Sequence, residues 1–231
     1  MCIQETKAFE TQLPPELSYM MQDYVRIWHA GQKPWYAGVA TFVKKNLSLL
    51  STKSHFGDLE HFHEDGRVVE VKLDQFTLFN VYFPNWGEKA DGTEMLTYKL
   101  DFYHHFLYYI NTLKAQWEHI IVCWDFNICH KEIDIARPKE NEHSIWFLPI
   151  ERAELDDLVT NGYVDVFRSK YPDLKDQYTW RSYRAGARPR NVGWRLDYFW
   201  VSKNILPQIT DVSHQTWVMG SDHCPVSIIL E

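Results

Sequence analysis

Long hydrophobic runs are missing from this sequence. No apolar stretch approaches the roughly 20 residues that a membrane-crossing helix needs, and no short apolar core with a basic flank opens the chain as a secretory signal would. Cysteine is scarce: Cys2, Cys123, Cys129 and Cys224 form no CxxC pair and no zinc spacing. That argues against a disulfide framework and a structural zinc site, and the four read as reduced, packed thiols of an intracellular protein. Glycine and proline number 10 each, yet they form no linker, and no internal repeat or low-complexity segment appears. Net positive charge is lacking too. A formal charge of -7 argues against a protein that holds bulk polyanions by charge alone.

What is present is ordinary in amount and uneven in placement. The 231 residues fit one domain, 1–231, long enough to bury a core of two or more layers. The chain is rich in aromatics, with 10 Trp, 13 Tyr and 13 Phe. Most of these build core, and a surplus also suits stacking on bases or sugars. Positive charge is concentrated in one stretch, where Arg181, Arg184, Arg188, Arg190 and Arg195 occur without an intervening acid. Such a run is either a solvated loop or a face for phosphates.

β-branched and aromatic residues mark strands at 37–45, 66–73, 75–83, 119–125, 194–202 and 224–230, the second and third joined as a hairpin through Asp74. Two helices are predicted. The first runs from Met95 to about Trp117, with a stripe of Leu96, Leu100, Tyr103, Leu107, Ile110, Leu113 and Trp117. The second runs from about Pro149 to Asn161, with Pro at its start, Glu151 and Glu154 early, and Gly162 past its end. Hairpins interrupted by long helices predict an α+β fold: a four-layer α/β sandwich of two mixed β-sheets packed face to face, helices outside. His61 and His63, between acids ahead of the hairpin, imitate a metal site but read better as loop.

Several strands share one oddity: polar residues at an end. Asp125 and Asn127 close the apolar run Ile120–Cys123; Tyr82, Pro84 and Asn85 end another; Asp197 interrupts a third. Asp222 and His223 precede the last strand, and Glu5 follows the first two apolar residues. Each alone suits a structural role, as a turn cap or a partnered carboxylate. Together they supply an Asp-His pair fit for proton transfer, hard oxygen ligands that suit Mg²⁺ or Mn²⁺, and neutral donors for an oxyanion. Those are the parts needed to hydrolyse a phosphodiester.

The blocks "CIQETK", "YFPN", "DFNICHKEID", "NVGWRLDYF" and "SDHCPV", in this order, resemble the exonuclease III / AP endonuclease family of the endonuclease/exonuclease/phosphatase superfamily. The resemblance spans essentially the whole chain and implies the DNase I-like form of the sandwich. It implies a Mg²⁺- or Mn²⁺-dependent DNA repair nuclease, a monomer without membrane attachment. Such an enzyme incises double-stranded DNA 5′ to abasic sites, with 3′-to-5′ exonuclease or 3′-phosphodiesterase activity beside it. By resemblance, Glu5 is the main metal ligand and Asp222 a second. Asp197 orients His223, and that pair activates water or binds the scissile phosphate. Asp125 aligns or deprotonates the water, or protonates the leaving group. Asn127 positions the nucleophile, and Tyr82 and Asn85 hydrogen-bond the phosphate. Trp180, Trp194 and Leu196 match the apolar pocket for an extruded abasic sugar, Asn141 matches a DNA-side position, and Arg184 one that enters the duplex.

Three departures accompany the match. The family carries an earlier strand with an Asn-x-Asn element and a helix, about thirty residues by ordinary element lengths, so Met1 is expected to be an internal methionine of a longer protein. Trp124 replaces the usual Gly before Asp125, where it is expected to crowd the carboxylate. Ser144 and Trp146 replace an Asn and a Gly, a change expected to alter the grip on DNA. An inactive or purely DNA-binding truncated member, another phosphodiesterase of the superfamily and a retrotransposon endonuclease domain are the competing readings.

Overall fold

The computed structural model describes residues 1–33, 35–57, 60–85, 95–116 and 119–231. Its helices and strands group into two compact units, Met1–Phe83 with His105–Trp124, and Pro84–His104 with Asp125–Glu231.

In the first unit β1 (Cys2–Gln4), helix α1 (Pro15–Met20), β2 (Tyr24–His29) and β3 (Val39–Lys44) come first in the chain. They build a three-stranded antiparallel sheet in the order β1-β3-β2, with Cys2 opposite Thr41 and Ile27 opposite that same residue from the other side. Then come β4 (Leu49–Lys53), a helical turn α2 (Glu60–His63), β5 (Val68–Leu73) and β6 (Thr77–Tyr82). The long helix α3 (Leu96–Ala115) leads to β7 (Ile120–Asp125), and β4, β5, β6 and β7 lie side by side in that order. The predicted hairpin is present, with Val68 opposite Val81 and Lys72 opposite Thr77. The segment with His61 and His63, read as loop, is a helical turn instead; the His63 ring packs on His55 at 4.8 Å.

The buried face of α3 differs from the predicted stripe. Lys99, Phe102, Tyr103, Phe106 and Ile110 are buried, while Leu96, Leu100, Leu107 and Leu113 are only partly so. Trp117 falls outside the described residues. The aromatics bury more area than the leucines and claim the core, and Lys99 can follow them because it has an ionic partner.

The second unit holds α4 (Pro149–Thr160), β8 (Tyr163–Asp165), the short α5 (Val166–Lys170), β9 (Asp197–Ser202), β10 (Ile209–His214) and β11 (Val226–Leu230). Here β8 pairs β9 and β10 pairs β11, both antiparallel. Pro149 opens α4 at a position where its missing N–H is no loss. Glu151 accepts the Leu148 N–H at 3.2 Å, and Gly162 past the end takes φ 78, which only glycine adopts freely. No helix among the described residues is long and apolar enough to cross a membrane.

Candidate active site

The segment Asp125–Asn127 ends β7 in a turn that explains its polar residues. The Asp125 carboxylate is buried, and its Oδ1 accepts the N–H of Asn127, two residues on, at 2.9 Å. Asn127 takes φ 50, in the left-handed region that Asn tolerates better than other side chains. The backbone beyond Asp125 is then pinned. Phe126 donates its N–H to Leu196 O at 2.9 Å, and the Asn127 carbonyl accepts from Lys99 Nζ at 2.8 Å. Lys99 is fully buried and forms a 2.6 Å ion pair with Glu151 of α4, also fully buried. Burial lowers the Lys99 pKa, and Glu151 and Asp125 oppose that fall.

Two further segments reach Asp125 within the same unit. Residues 179–181 zip to both. Trp180 exchanges backbone hydrogen bonds with Trp194 at 2.9 and 3.0 Å, Cys224 donates to Thr179 O at 2.8 Å, and Arg181 donates to Asp222 O at 2.9 Å. Thr179 Oγ1 also accepts the N–H groups of Leu196 and Asp197 at 2.9 and 3.0 Å. Asp197, expected inside its strand, is the first residue of β9. The stretch before it is held by these isolated bridges rather than by a continuous ladder. Thr179→Val should therefore leave two buried N–H groups without their side-chain partner. A loss of about 1–3 kcal/mol is expected in urea unfolding, and an unchanged midpoint would refute that role.

The outcome is a triad. His223 Nδ1 lies 2.9 Å from Asp197 Oδ2, and its Nε2 lies 3.9 Å from Asp125 Oδ2. Burial works to lower the imidazole pKa, but the carboxylates of Asp197 and Asp125, with Asp222 beyond them, outweigh it. They raise the pKa from 6.5 to about 10. Near pH 7 this histidine is an imidazolium. Ligand atoms of Asp125, Asp197 and His223 lie within 4.8 Å of one another, the one such group among the described residues. Of these, the carboxylates suit a hard divalent cation, whereas a protonated imidazole offers no lone pair. Asp222, expected as a metal ligand, is not part of that group; one of its carboxylate oxygens accepts Trp180 Nε1 at 3.0 Å.

The expected sugar-pocket residues also meet. Leu196 is fully buried with Cys129, Ile135 and Phe147, and the indoles of Trp180 and Trp194 pack against them. Trp146 joins the same cluster, edge-on to Trp180 at 5.3 Å and to Trp194 at 5.8 Å. Its backbone takes φ 71, an outlier for so bulky a residue, and its carbonyl accepts Cys129 N–H at 2.7 Å. The Trp146 Nε1–H donates to Asn85 Oδ1 at 2.6 Å. An indole is a donor only, so this contact assigns the Asn85 amide and leaves its NH₂ as the outward donor. Sequence reasoning saw Trp146 only as a departure in a DNA-side loop; its place in the pocket follows from a backbone angle that composition cannot reveal.

The arginine stretch is mostly internal bracing. Arg181 holds Asn191 Oδ1 and Tyr178 O, Arg188 holds the carbonyls of Val218, Ser221 and His223, and Arg190 holds those of Ala185 and Gly186. Arg195 is buried against Asp134 and Asp165. Arg184 is exposed; its backbone N–H donates to Ser182 Oγ and its carbonyl accepts from Ala187 N–H. Asn141 braces its own loop, donating to Ala136 O and Arg137 O at 3.2 and 3.0 Å.

Glu5 and Tyr82 belong to the first unit. Glu5 takes φ 52 and pairs with Lys7. Tyr82 ends β6 beneath the guanidinium of Arg67, 5.1 Å from its ring centre. Trp124, expected to crowd Asp125, packs instead between Phe83 and Phe106 at 4.5 and 5.1 Å. Successive side chains of a strand point to opposite faces, so a large residue here fills core beside the carboxylate's neighbour, not the carboxylate's side.

Comparison with known proteins bears on this arrangement. Residues 1–223 match the Endonuclease/Exonuclease/phosphatase family. The chain is 40% identical over 231 residues to an exodeoxyribonuclease of Bacillus subtilis, covering 99% of this chain and 86% of that protein. It is 36% identical over 231 residues to the DNA repair nuclease APEX1 of Danio rerio, covering 100% of this chain and 72% of that one. The catalytic domain of Xenopus laevis APE2 superposes with a TM-score of 0.86 at 26% identity, covering 99% of this chain and 82% of that one. The α+β, DNase I-like fold expected from the sequence is therefore the fold of this chain.

Proposed function

The chain belongs to the exonuclease III / AP endonuclease family of the endonuclease/exonuclease/phosphatase superfamily, a family of metal-dependent phosphodiester hydrolases, and on that premise we propose how this DNA repair nuclease works. It hydrolyses the phosphodiester 5′ to an abasic site in double-stranded DNA with Mg²⁺ as the cation, leaving a 3′-hydroxyl, and it also processes 3′ ends. The observation that carries this reading is the Asp125–His223–Asp197 triad set beside the Trp180–Trp194–Leu196 cluster within one unit.

The raised pKa of His223 favours one of two roles for the Asp-His pair. An imidazolium is no base, so His223 binds a phosphate oxygen through Nε2–H while Asp197 holds Nδ1–H. Asp125 is then the carboxylate placed to take a proton from water. Water oxygen attacks phosphorus and its proton passes to Asp125; the bond from phosphorus to O3′ breaks, and O3′ leaves as a hydroxyl once it has taken that proton back from Asp125. Asn127 positions the water, and the Asn85 NH₂ donates to the phosphate. Carboxylate oxygens suit Mg²⁺, and Asp222 supplies them in the second unit. The bound cation would neutralise phosphate charge as it builds in the transition state. Trp180, Trp194 and Leu196 receive the extruded sugar, Arg184 enters the duplex, and Asn141 shapes the DNA-side loop.

Incision of a duplex oligonucleotide holding one tetrahydrofuran abasic analogue tests the proposal. Cutting 5′ to the lesion with Mg²⁺ is expected, lost with EDTA and lost in Asp125→Ala, which also controls for contaminating nuclease. A folded wild-type protein that leaves this substrate and 3′ ends intact with Mg²⁺ would favour the DNA-binding-only alternative.

A further inference from the structure

The backbone N–H and carbonyl groups of Phe126 and Asn127, the two residues after Asp125, are all partnered. Phe126 N–H donates to Leu196 O, and Asn127 N–H donates to Asp125 Oδ1, both at 2.9 Å. The two carbonyls are held by one helix. The Tyr103 hydroxyl donates to Phe126 O, and Lys99 Nζ donates to Asn127 O at 2.8 Å. Lys99 and Tyr103 stand four apart on α3, so their side chains leave the same face of that helix. The Tyr103 ring also stacks on Phe126, with 5.8 Å between centres. Burial, with the carboxylates of Glu151 and Asp125, pushes the Tyr103 pKa well up, so its hydroxyl stays a donor.

Stability alone does not account for the ionic part of this arrangement. Lys99 and Glu151 are both fully buried, and apolar replacements of such pairs are often neutral or stabilising. The Lys99 ammonium is aimed at Asn127, whose φ of 50 is sparsely populated and persists where the surroundings hold it. We infer that Lys99, Tyr103 and Glu151 are positioning residues, a cradle that fixes the Asp125–Asn127 turn where hydrolysis needs it. The inference rests on the nuclease reading above, in which Asp125 takes the proton of water and Asn127 positions that water. Glu151 acts at one remove. One of its oxygens holds the Lys99 ammonium at 2.6 Å, and the other holds Leu148 N–H at the start of α4. All three residues are buried, so they act through the turn and not on the substrate. A misplacement of about 1 Å can slow a reaction by about 10²-fold. Loosening the cradle should therefore slow the chemical step and leave DNA binding as it is.

The test measures single-turnover hydrolysis with Mg²⁺, which isolates the chemical step, on a duplex with one internal tetrahydrofuran and on a nicked duplex with a 3′-phosphate. DNA affinity in EDTA and urea unfolding are measured beside it. Lys99→Met/Glu151→Gln removes both charges together, and the glutamine keeps an oxygen for Leu148 N–H. This variant should unfold at about the urea concentration of wild type, bind DNA within about twofold, and react about tenfold to a hundredfold more slowly. Tyr103→Phe deletes one hydroxyl and keeps the ring stack; it should slow the reaction about fivefold or more, and it carries the test alone if the double variant does not fold. A folded variant that reacts within about threefold of wild type overturns the inference. A rate loss matched by an equal loss of DNA affinity overturns it too, and both results leave the nuclease reading in place. A wild-type protein that hydrolyses neither substrate with Mg²⁺ overturns both.

Discussion

His223→Asn is expected to lower kcat/KM for phosphodiester cleavage by about 10²–10⁴-fold, the range for a group that exchanges or holds charge in the transition state. The imidazolium lies between two carboxylates, 2.9 Å from Asp197 and 3.9 Å from Asp125. On the proposed mechanism, removing it deletes a phosphate-binding cation and leaves two neighbouring carboxylates facing an anionic substrate. Asp197→Asn is the milder companion. The amide still accepts from Nδ1–H, yet it withdraws the charge that does most to hold the proton on His223.

The charge state can be read directly. In the metal-free protein the His223 ring should titrate near pH 10 by NMR, and markedly lower in Asp197→Asn. A wild-type midpoint near the ordinary histidine value would return His223 to the role of general base. Stability follows the same linkage. The folded pKa lies above the unfolded value of 6.5, so the contribution is fully present below about pH 6.5 and is lost as pH rises through about 10. A divalent cation bound beside the triad should pull the midpoint down, because like charges compete for the same carboxylates.

Arg195→Met is the substitution expected to cost most stability, about 3–5 kcal/mol, because it breaks a buried ionic network from one side. Arg195 is fully buried and holds Asp134 through two parallel bonds of 2.8 and 3.0 Å, and Asp165 through a third of 2.6 Å. Arg168 adds a 2.6 Å pair to Asp134. Burial works to raise the Asp134 pKa, but the two guanidinium groups lower it from 3.8 to about 2. That contribution is present above pH 3.8 and is lost as pH falls through about 2. Without Arg195, Asp134 keeps one cation and Asp165 loses its ion pair, keeping only the Arg168 N–H, both in surroundings that cannot solvate them. Equilibrium urea unfolding at neutral pH measures the effect. A loss below about 1 kcal/mol would mean that water or Arg168 takes over. Arg195→Lys should rescue only part, since an ammonium cannot reproduce the fork of parallel bonds.

That network also supports the site. Arg195 stands between Trp194 and Leu196, and its own N–H donates to Asp134 O at 2.8 Å. The two residues on either side are thereby held against the pocket cluster. A variant lacking Arg195 should lose activity alongside stability even under conditions where it remains folded.

Much of this protein was determined by its sequence alone. Strands at 68–73, 77–82, 120–125 and 226–230 follow from β-branched and aromatic runs, and α4 from its proline, early acids and trailing glycine. Those signals are local, and local sterics and capping answer them. The five motif blocks identify the family, because each carries polar groups that the ends of such strands have little structural reason to hold. The strands β2, β4, β8 and β10 escape the sequence reading: burial of β2, β4 and β10 is partial and their pattern correspondingly weak, and β8 is only three residues long.

The tertiary structure decided the rest. Whether an arginine meets DNA or a carbonyl depends on what folds against it, and Arg188 finds its partners about 30 residues away. His223 is an imidazolium only because carboxylates 26 residues before it, at Asp197, and earlier still, at Asp125, converge on its ring. Trp146 enters the pocket because its backbone turns left-handed while Cys129 and Asn85 hold both its ends. The energies of these arrangements come from burial and pair geometry, and residues distant along the chain acquire both only when they are brought together in space.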